Sequence, residues 1–285
     1  MKVFVTGAGG MTGAQLVSGA RARGWGVAWA SHADLDITDY AAVEDAISRE
    51  NPDIVFNAAA YTAVDKAEEE VENAMSVNSS GAVNVARAAA LSGAGIVHIS
   101  TDYVFDGKAA APYVPDDDPC PINVYGESKL AGEIGVRDEC ARHLIVRTSW
   151  VYSHEGKNFV LTMLRAAADG RDLKVVNDQT GSPTSSHDLA AALIAAAEKL
   201  AGDETVAGTY HFSNSGQTTW YDFAREIFRI RGLDPHLEAI STADFKTAAR
   251  RPGWSVLDCT SFEETFGITR RRWQDALKDT MEKIA

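Results

Sequence analysis

An α/β fold is expected from this sequence: a doubly wound parallel sheet, helices on both faces, and a smaller C-terminal part. Three observations point there. Short apolar runs alternate with longer helical patterns through the first half. A glycine-rich stretch follows the first apolar run directly. The 285 residues, 45% hydrophobic and 24% charged, suffice for one large domain or a main domain with a small second one. Strands and helices alternating at this spacing form βαβ units, whose strands run parallel.

Each element has its own signal. Lys2–Thr6 reads as a strand, Gly13–Arg23 as a helix, and Gly26–Ala30 as a short strand rich in small residues. Tyr40–Glu50 is a helix opened by Asp39, a good N-cap. Asn51-Pro52-Asp53 is a turn signal before the buried strand Ile54–Asn57. Glu68–Leu91 holds one long helix or two broken ones, with Gly81 as the weak point. Ile96–Ser100 and Leu144–Ser149 read as strands, and Val124–Glu139 as a helix behind the proline-rich stretch 112–121. The second half is less regular. Helices are expected at Asn158–Ala168, Asp188–Leu200 and Trp220–Arg231, and strands at Leu173–Asn177 and Thr209–Ser213. Short helices and turns mix from Thr242 on. No low-complexity linker divides the chain, so its parts are expected to pack closely.

Composition excludes several classes. Lys+Arg 27 against Asp+Glu 40 gives a net charge of −13, a field that repels nucleic acid and anionic membranes. No apolar run approaches the roughly 18–20 residues of a membrane span. Met1–Val5 runs into glycines by Gly7, too short for the apolar region of a signal peptide, so a cytoplasmic location is expected. Cys120, Cys140 and Cys259 are widely spaced without a CxxC pair; ordinary thiols are expected, not a disulfide framework or a zinc site. No HExxH or His/Cys cluster points to a catalytic metal, and none is expected.

Gly7, Gly10 and Gly13 fall in a GxxGxxG stretch between the first strand and the first helix, with Met11 and Thr12 inside it. Glycine lets the backbone approach a pyrophosphate closely. The helix N-terminus then offers free N–H groups and partial positive charge. This is a variant of the dinucleotide-binding Rossmann fingerprint. An acid ending the second strand would favour NAD. That strand ends instead at Ser31-His32, which tolerate a 2′-phosphate, so NADPH is expected, with NADH also open. Asp36 and Ile37 are expected near the adenine. The small residues Ala58, Ala59 and Ala60 would let backbone lie against the cofactor.

Tyr125 and Lys129 form a YxxxK pair on one helix face. A nearby ammonium lowers a phenol pKa and makes tyrosine a usable acid near neutrality. Ser100 and Thr101 end a strand, where parallel sheets bind ligands. Thr101 is the expected carbonyl-orienting hydroxyl. Ser100, facing the other way, is the competitor.

These segments, with Asn57–Glu68, Ser100–Gly107, Asn123–Glu133, Arg147–Tyr152, Asn177–Thr184, Thr219–Ala224 and Ala249–Pro252, resemble the dTDP-4-dehydrorhamnose reductases among the extended short-chain dehydrogenases/reductases. The likeness spans essentially the whole chain. It implies a Rossmann-type domain over 1–152, with sheet and helix elements near 173–213. It implies a smaller sugar-nucleotide part from 153–172 and 214–285. It also implies that NADPH reduces the C4 ketone of dTDP-4-dehydro-L-rhamnose. Tyr125 would supply the proton, Lys129 would lower its pKa and hold the ribose, and Thr101 would orient the ketone. Ser100 and Thr62 would join the cofactor site. Asp102, Tyr103 and Trp150 would meet the sugar nucleotide, and Arg251 its diphosphate. Some relatives dimerise around magnesium held by glutamates. Here Gln15 and Ser185-Ser186-His187-Asp188 stand at such positions, so a metal-linked dimer is not expected and monomer or homodimer stays open.

Rival readings remain, first among them another dTDP-4-keto-6-deoxysugar ketoreductase, which could share every motif above. A nucleotide-sugar 4,6-dehydratase would carry glutamate after Thr-Asp, where Tyr103 stands. An epimerase would keep its cofactor bound through both half-reactions. A non-catalytic regulatory subunit would have no need of Tyr125, Lys129 and Thr101 together.

Overall fold

The structure, a computed structural model, describes residues 1–284. Five strands, β1 (Lys2–Thr6), β2 (Gly26–Ala30), β3 (Ile54–Asn57), β4 (Gly95–Thr101) and β5 (His143–Thr148), form one parallel sheet. The short strands β6 (Val151–Tyr152), β7 (Leu173–Val176), β8 (Thr180–Gly181) and β9 (Thr184–Ser185) lie outside it. β10 (Gly208–His211) adds the sixth strand beside β5. The order is β10-β5-β4-β3-β1-β2. The chain passes from β1 to β2 on one side and then crosses to β3 on the other, and this reversal opens a crevice at the carboxyl ends of the strands.

Strand alternation sorts the core. Val3, Val5, Phe56 and Val146 face one side, under the helices α1 (Met11–Ala22) and α8 (Ser186–Gly202). Phe4, Val55, Ile96 and Ile145 face the other, under α2 (Tyr40–Glu50), α5 (Ala82–Leu91) and α6 (Val124–Glu139). Both faces are covered, as a parallel sheet requires. Asp39 caps α2 through Ala42 N at 3.1 Å, as its position implied.

The stretch Glu68–Leu91, expected as one or two helices, follows the single turn α3 (Val64–Ala67). It then runs on from α4 (Val71–Met75) into α5 through a π-helical segment, Ser76–Gly81. Gly81 does not break it. That glycine leaves room for Ile37, whose Cδ1 would lie 2.7 Å from an added Cβ.

The second part has its own core. α7 (Phe159–Ala168), α9 (Trp220–Arg231) and α11 (Trp273–Glu282) pack around Tyr152, Phe223, Ile227 and Leu277. β11 (Thr218–Thr219) pairs with β8, and β12 (Leu237–Ile240) pairs in parallel with β7. Residues 173–176, grouped from the sequence with the sheet elements, therefore pair outside that sheet. Residues 208–211 do join it. The helix α10 (Thr260–Phe266) lies against β10 and α8. All three cysteines are free thiols. Among the described residues no helix is long and apolar enough to cross a membrane.

Candidate active site

A cleft of about 620 Å³ opens over the carboxyl ends of β1, β3, β4 and β5. Its walls hold Gly10, Met11, Thr12 and Gly13, then Ala58, Ala59, Ala60 and Thr62, then Ser100, Thr101, Asp102, Tyr103, Tyr125, Lys129 and Trp150. Most sequence-expected site residues therefore converge on one space.

The glycine turn fits a dinucleotide. Gly7 has φ +67°, and a Cβ there would sit 2.5 Å from Ala59 N. A Cβ on Gly13 would meet Gly7 O at 2.2 Å, so α1 rests directly on the turn. Gly10 caps α1 without a side chain, and no acid occupies the first turn. The first N–H groups thus face the cleft beside a positive helix end. Opposite them, Asn78 of the π segment binds Tyr61 N (2.8 Å) and Tyr61 O (3.0 Å), and donates to Ser128 Oγ of α6 (2.9 Å). One side chain thereby ties the Ala58–Thr62 loop to the Tyr125–Lys129 turn.

Helix α6 is placed by close backbone approach. Asn123 Oδ1 caps Gly126 N at 2.8 Å, while its amide donates to Arg250 O at 2.7 Å. A Cβ on Gly126 would meet Tyr103 O at 2.2 Å, and one on Gly132 would meet Asn78 O at 2.1 Å. The Tyr125 ring meets that of Tyr103 edge-on at 5.5 Å, and the Thr101 hydroxyl lies close enough to act on its phenol.

The electrostatics depart from expectation. Burial pushes the Tyr125 phenol up to about 12; the Thr101 bond opposes this and the Asp102 charge adds to it. Lys129 stands one turn further along α6. Its own ammonium is buried, pulled down to about 8 by that burial, and turned to Ile99 O at 2.7 Å. Burial pushes the Asp102 carboxyl up to about 7. Asp102 Oδ1 accepts from Thr101 Oγ1 at 3.1 Å, the Ser255 hydroxyl also holds the carboxyl down in part, and Thr148 Oγ1 on the same wall has no side-chain or backbone partner.

Other expected side chains are engaged elsewhere. The Ser100 hydroxyl turns away to Glu133 Oε1 at 2.5 Å. Ser31 Oγ donates to Asp34 Oδ2 at 2.6 Å, and Asp36 Oδ1 accepts from Thr38 N and Oγ1 at 2.9 and 2.8 Å. Those bonds hold both carboxyls below the usual range. His32 is exposed, and the Ile37 side chain is buried in the core. Arg251 does not line the cleft; it grips Asp65 through two bonds of 3.0 and 2.6 Å.

Sequence reasoning missed Thr148, Lys157 and Trp220, all on the cleft wall. Thr148 ends β5, so the carboxyl-end rule would have found it. Trp220 stacks on Trp150 at 3.6 Å between ring centroids. Trp150 holds φ +48°, unusual for a bulky residue. A Cβ on Gly181 would lie 2.5 Å from its ring.

The profile of the RmlD substrate binding domain family matches residues 1–285. The chain belongs to this family. Among RmlD relatives, the spore coat polysaccharide biosynthesis protein SpsK of Bacillus subtilis is 42% identical, over 99% of this chain and 97% of that one. The dTDP-4-dehydrorhamnose reductase of Aggregatibacter actinomycetemcomitans is 43% identical, over 98% and 97%. The dTDP-4-dehydrorhamnose reductase of Bacillus anthracis, solved in complex with NADP, superposes with a TM-score of 0.93 at 37% identity, covering 99% of each chain. The RmlD membership agrees with the parallel sheet and its cleft.

Proposed function

We propose that this chain uses NADPH to reduce the C4 ketone of dTDP-4-dehydro-L-rhamnose, giving dTDP-L-rhamnose. One observation carries the reading: Thr101, Tyr125 and Lys129 share a cleft with a bare, positive helix end, in a chain about 40% identical to reductases of that name.

Residues at Gly7–Gly13 and Ala58–Thr62 hold the cofactor. When bound, it supplies the hydride that C4 accepts. Thr101 donates to the ketone oxygen and fixes it beside Tyr125. Tyr125 gives that oxygen its proton, closing the alcohol, and regains one from solvent. A phenol held near 12 is a reluctant acid toward water but a good match for an alkoxide. Lys129 sits one helical turn on, holding the ribose and the positive charge that favours tyrosinate once the proton has left. The absence of an acid at the end of β2 suits a 2′-phosphate. The sheet part takes the cofactor; 153–172 and 214–285, with Trp150 and Trp220, take the sugar nucleotide.

A panel of dTDP-4-keto sugars, each with NADPH and with NADH, tests this. The expected result is fastest oxidation of NADPH with dTDP-4-dehydro-L-rhamnose and a product of L-rhamno configuration. No oxidation with any member of the panel would remove the reading.

A further inference from the structure

Lys129 is held by more than the cleft. Its Nζ lies 3.4 Å from Nε2 of His98, besides donating to Ile99 O. Nδ1 of His98 lies 3.1 Å from the Asn57 side-chain amide, and Asn57 is joined to Thr6 Oγ1 at 2.7 Å. The strand register sets Thr6 opposite Asn57 and Asn57 opposite His98. Three neighbouring strands thus lay one polar row through the core, ending on Lys129. Thr6, Asn57 and His98 are each 1% exposed, and none of the three lines the cleft. A buried polar row is costly unless its hydrogen bonds are all made.

We propose that His98 is a positioning residue for Lys129, accepting a hydrogen bond from its ammonium through Nε2. Proton inventory sets the direction. An ammonium has three donors and no acceptor, so the Nε2 that faces it carries no proton. The ring proton then sits on Nδ1 and needs an acceptor, which the Asn57 amide oxygen supplies. Asn57 is oriented with its nitrogen toward Nδ1; half a turn of the amide exchanges two nearly isosteric atoms. Thr6 allows the turn, because a hydroxyl accepts as readily as it donates, and Phe56 O lies 3.5 Å away for its proton. His98 itself stays neutral, held well below its ordinary range by burial and then by the Lys129 charge.

The groups around Lys129 act in opposite senses. Burial pulls its ammonium down, and Glu133, one turn further along α6, counters. Glu133 is itself paired with Arg147 of β5. Tyr125 lies one turn back, and Asp102 follows the end of β4. The His98 lone pair acts with Glu133. Removing it lets Lys129 lose its proton at lower pH.

This rests on the reductase reading for Lys129, so the test has two arms. In the first, ¹⁵N NMR of histidine-labelled whole protein reads the ring tautomer without any turnover, with His98 assigned by its absence from the H98Q spectrum. The expected tautomer has its proton on Nδ1. In the second, kcat is followed against pH for the parent, His98→Leu and His98→Gln. The alkaline limb is expected to move down by about one pH unit in His98→Leu and to return in His98→Gln, whose amide oxygen can accept in place of Nε2. A proton on Nε2, or a His98→Leu limb that matches the parent, overturns the proposal. Should His98→Leu fail to fold, the tautomer decides alone. An enzyme inactive on every keto sugar removes the function reading but leaves the tautomer legible.

Discussion

Asp102 is buried in a cleft where its charged form is disfavoured, and the nearby hydroxyls of Ser255 and Thr101 offset only part of that cost. That arrangement is a cost to the fold. The unfolded chain ionises this group near its ordinary 3.8, while the folded chain holds the proton until about 7. Stability is therefore lost as pH rises from 3.8 toward 7. Asp102→Asn is expected to match the parent below pH 4 and to exceed it by up to about 4 kcal/mol above pH 7. Urea denaturation at a series of pH values checks this; a difference independent of pH would contradict it. Turnover should fall in the same variant, since the carboxyl lies beside Thr101 and Tyr125. At this scale the sequence was informative where chemistry imposes spacing. The glycines at 7, 10 and 13 and the pair at 125 and 129 announce themselves, because a turn and a helical repeat fix where they point. Lys157 sits in an irregular loop with no periodicity to read. Nor could spacing show that burial raises the Tyr125 phenol, or that Ser100 is spent on Glu133.

Helix α6 carries Tyr125, Lys129 and Glu133 on one face, each four residues apart. Arg147 of β5 binds Glu133 through Nε at 2.9 Å and Nη2 at 2.8 Å, with both side chains buried. The pair locks the helix against the sheet just behind the catalytic turn. Glu133→Gln or Arg147→Met leaves one buried charge alone, and a loss of about 3–5 kcal/mol is expected from chemical denaturation. Replacing both by apolar residues should recover much of it. Neighbouring His211 bonds Tyr113 O at 3.0 Å and is held neutral by burial and by Arg147, its pKa pulled down to about 3. The unfolded chain takes up that proton below about 6.5 and the folded one does not, so stability falls on acidification through that window. His211→Gln is therefore expected to lose less stability than the parent between pH 6.5 and 4. Helix and strand positions were largely legible in the first half, where both-face burial and caps such as Asp39 leave strong marks. The π segment was not. It depends on Asn78 meeting a glycine on α6, a contact between helices far apart in sequence.

The whole molecule carries a net charge of −13, yet its cleft must receive phosphates. The charge is managed locally. The cleft wall presents Lys129, Lys157 and the N-terminus of α1, and Asp102 as its acid. Lys157 comes from a loop of the second part that lies over the glycine turn, where a Cβ on Gly156 would meet Met11 Cγ at 3.1 Å. Lys157→Ala is expected to weaken NADPH binding roughly five-fold, about 1 kcal/mol, and to lessen its salt dependence, as fluorescence titration at two ionic strengths would show. Arg251, expected at the diphosphate, instead closes the C-terminal segment onto α3 through Asp65. The second part was the least legible, because strands as short as β8 or β11 are made by pairing distant segments and leave little local pattern. Everything in the reading meets at Tyr125. The most direct measurement is the rate of NADPH oxidation by Tyr125→Phe with dTDP-4-dehydro-L-rhamnose, taken beside its NADPH affinity. A fall of about 10²–10⁴-fold in kcat with affinity retained is expected for the loss of a proton donor. Turnover equal to the parent would contradict the account.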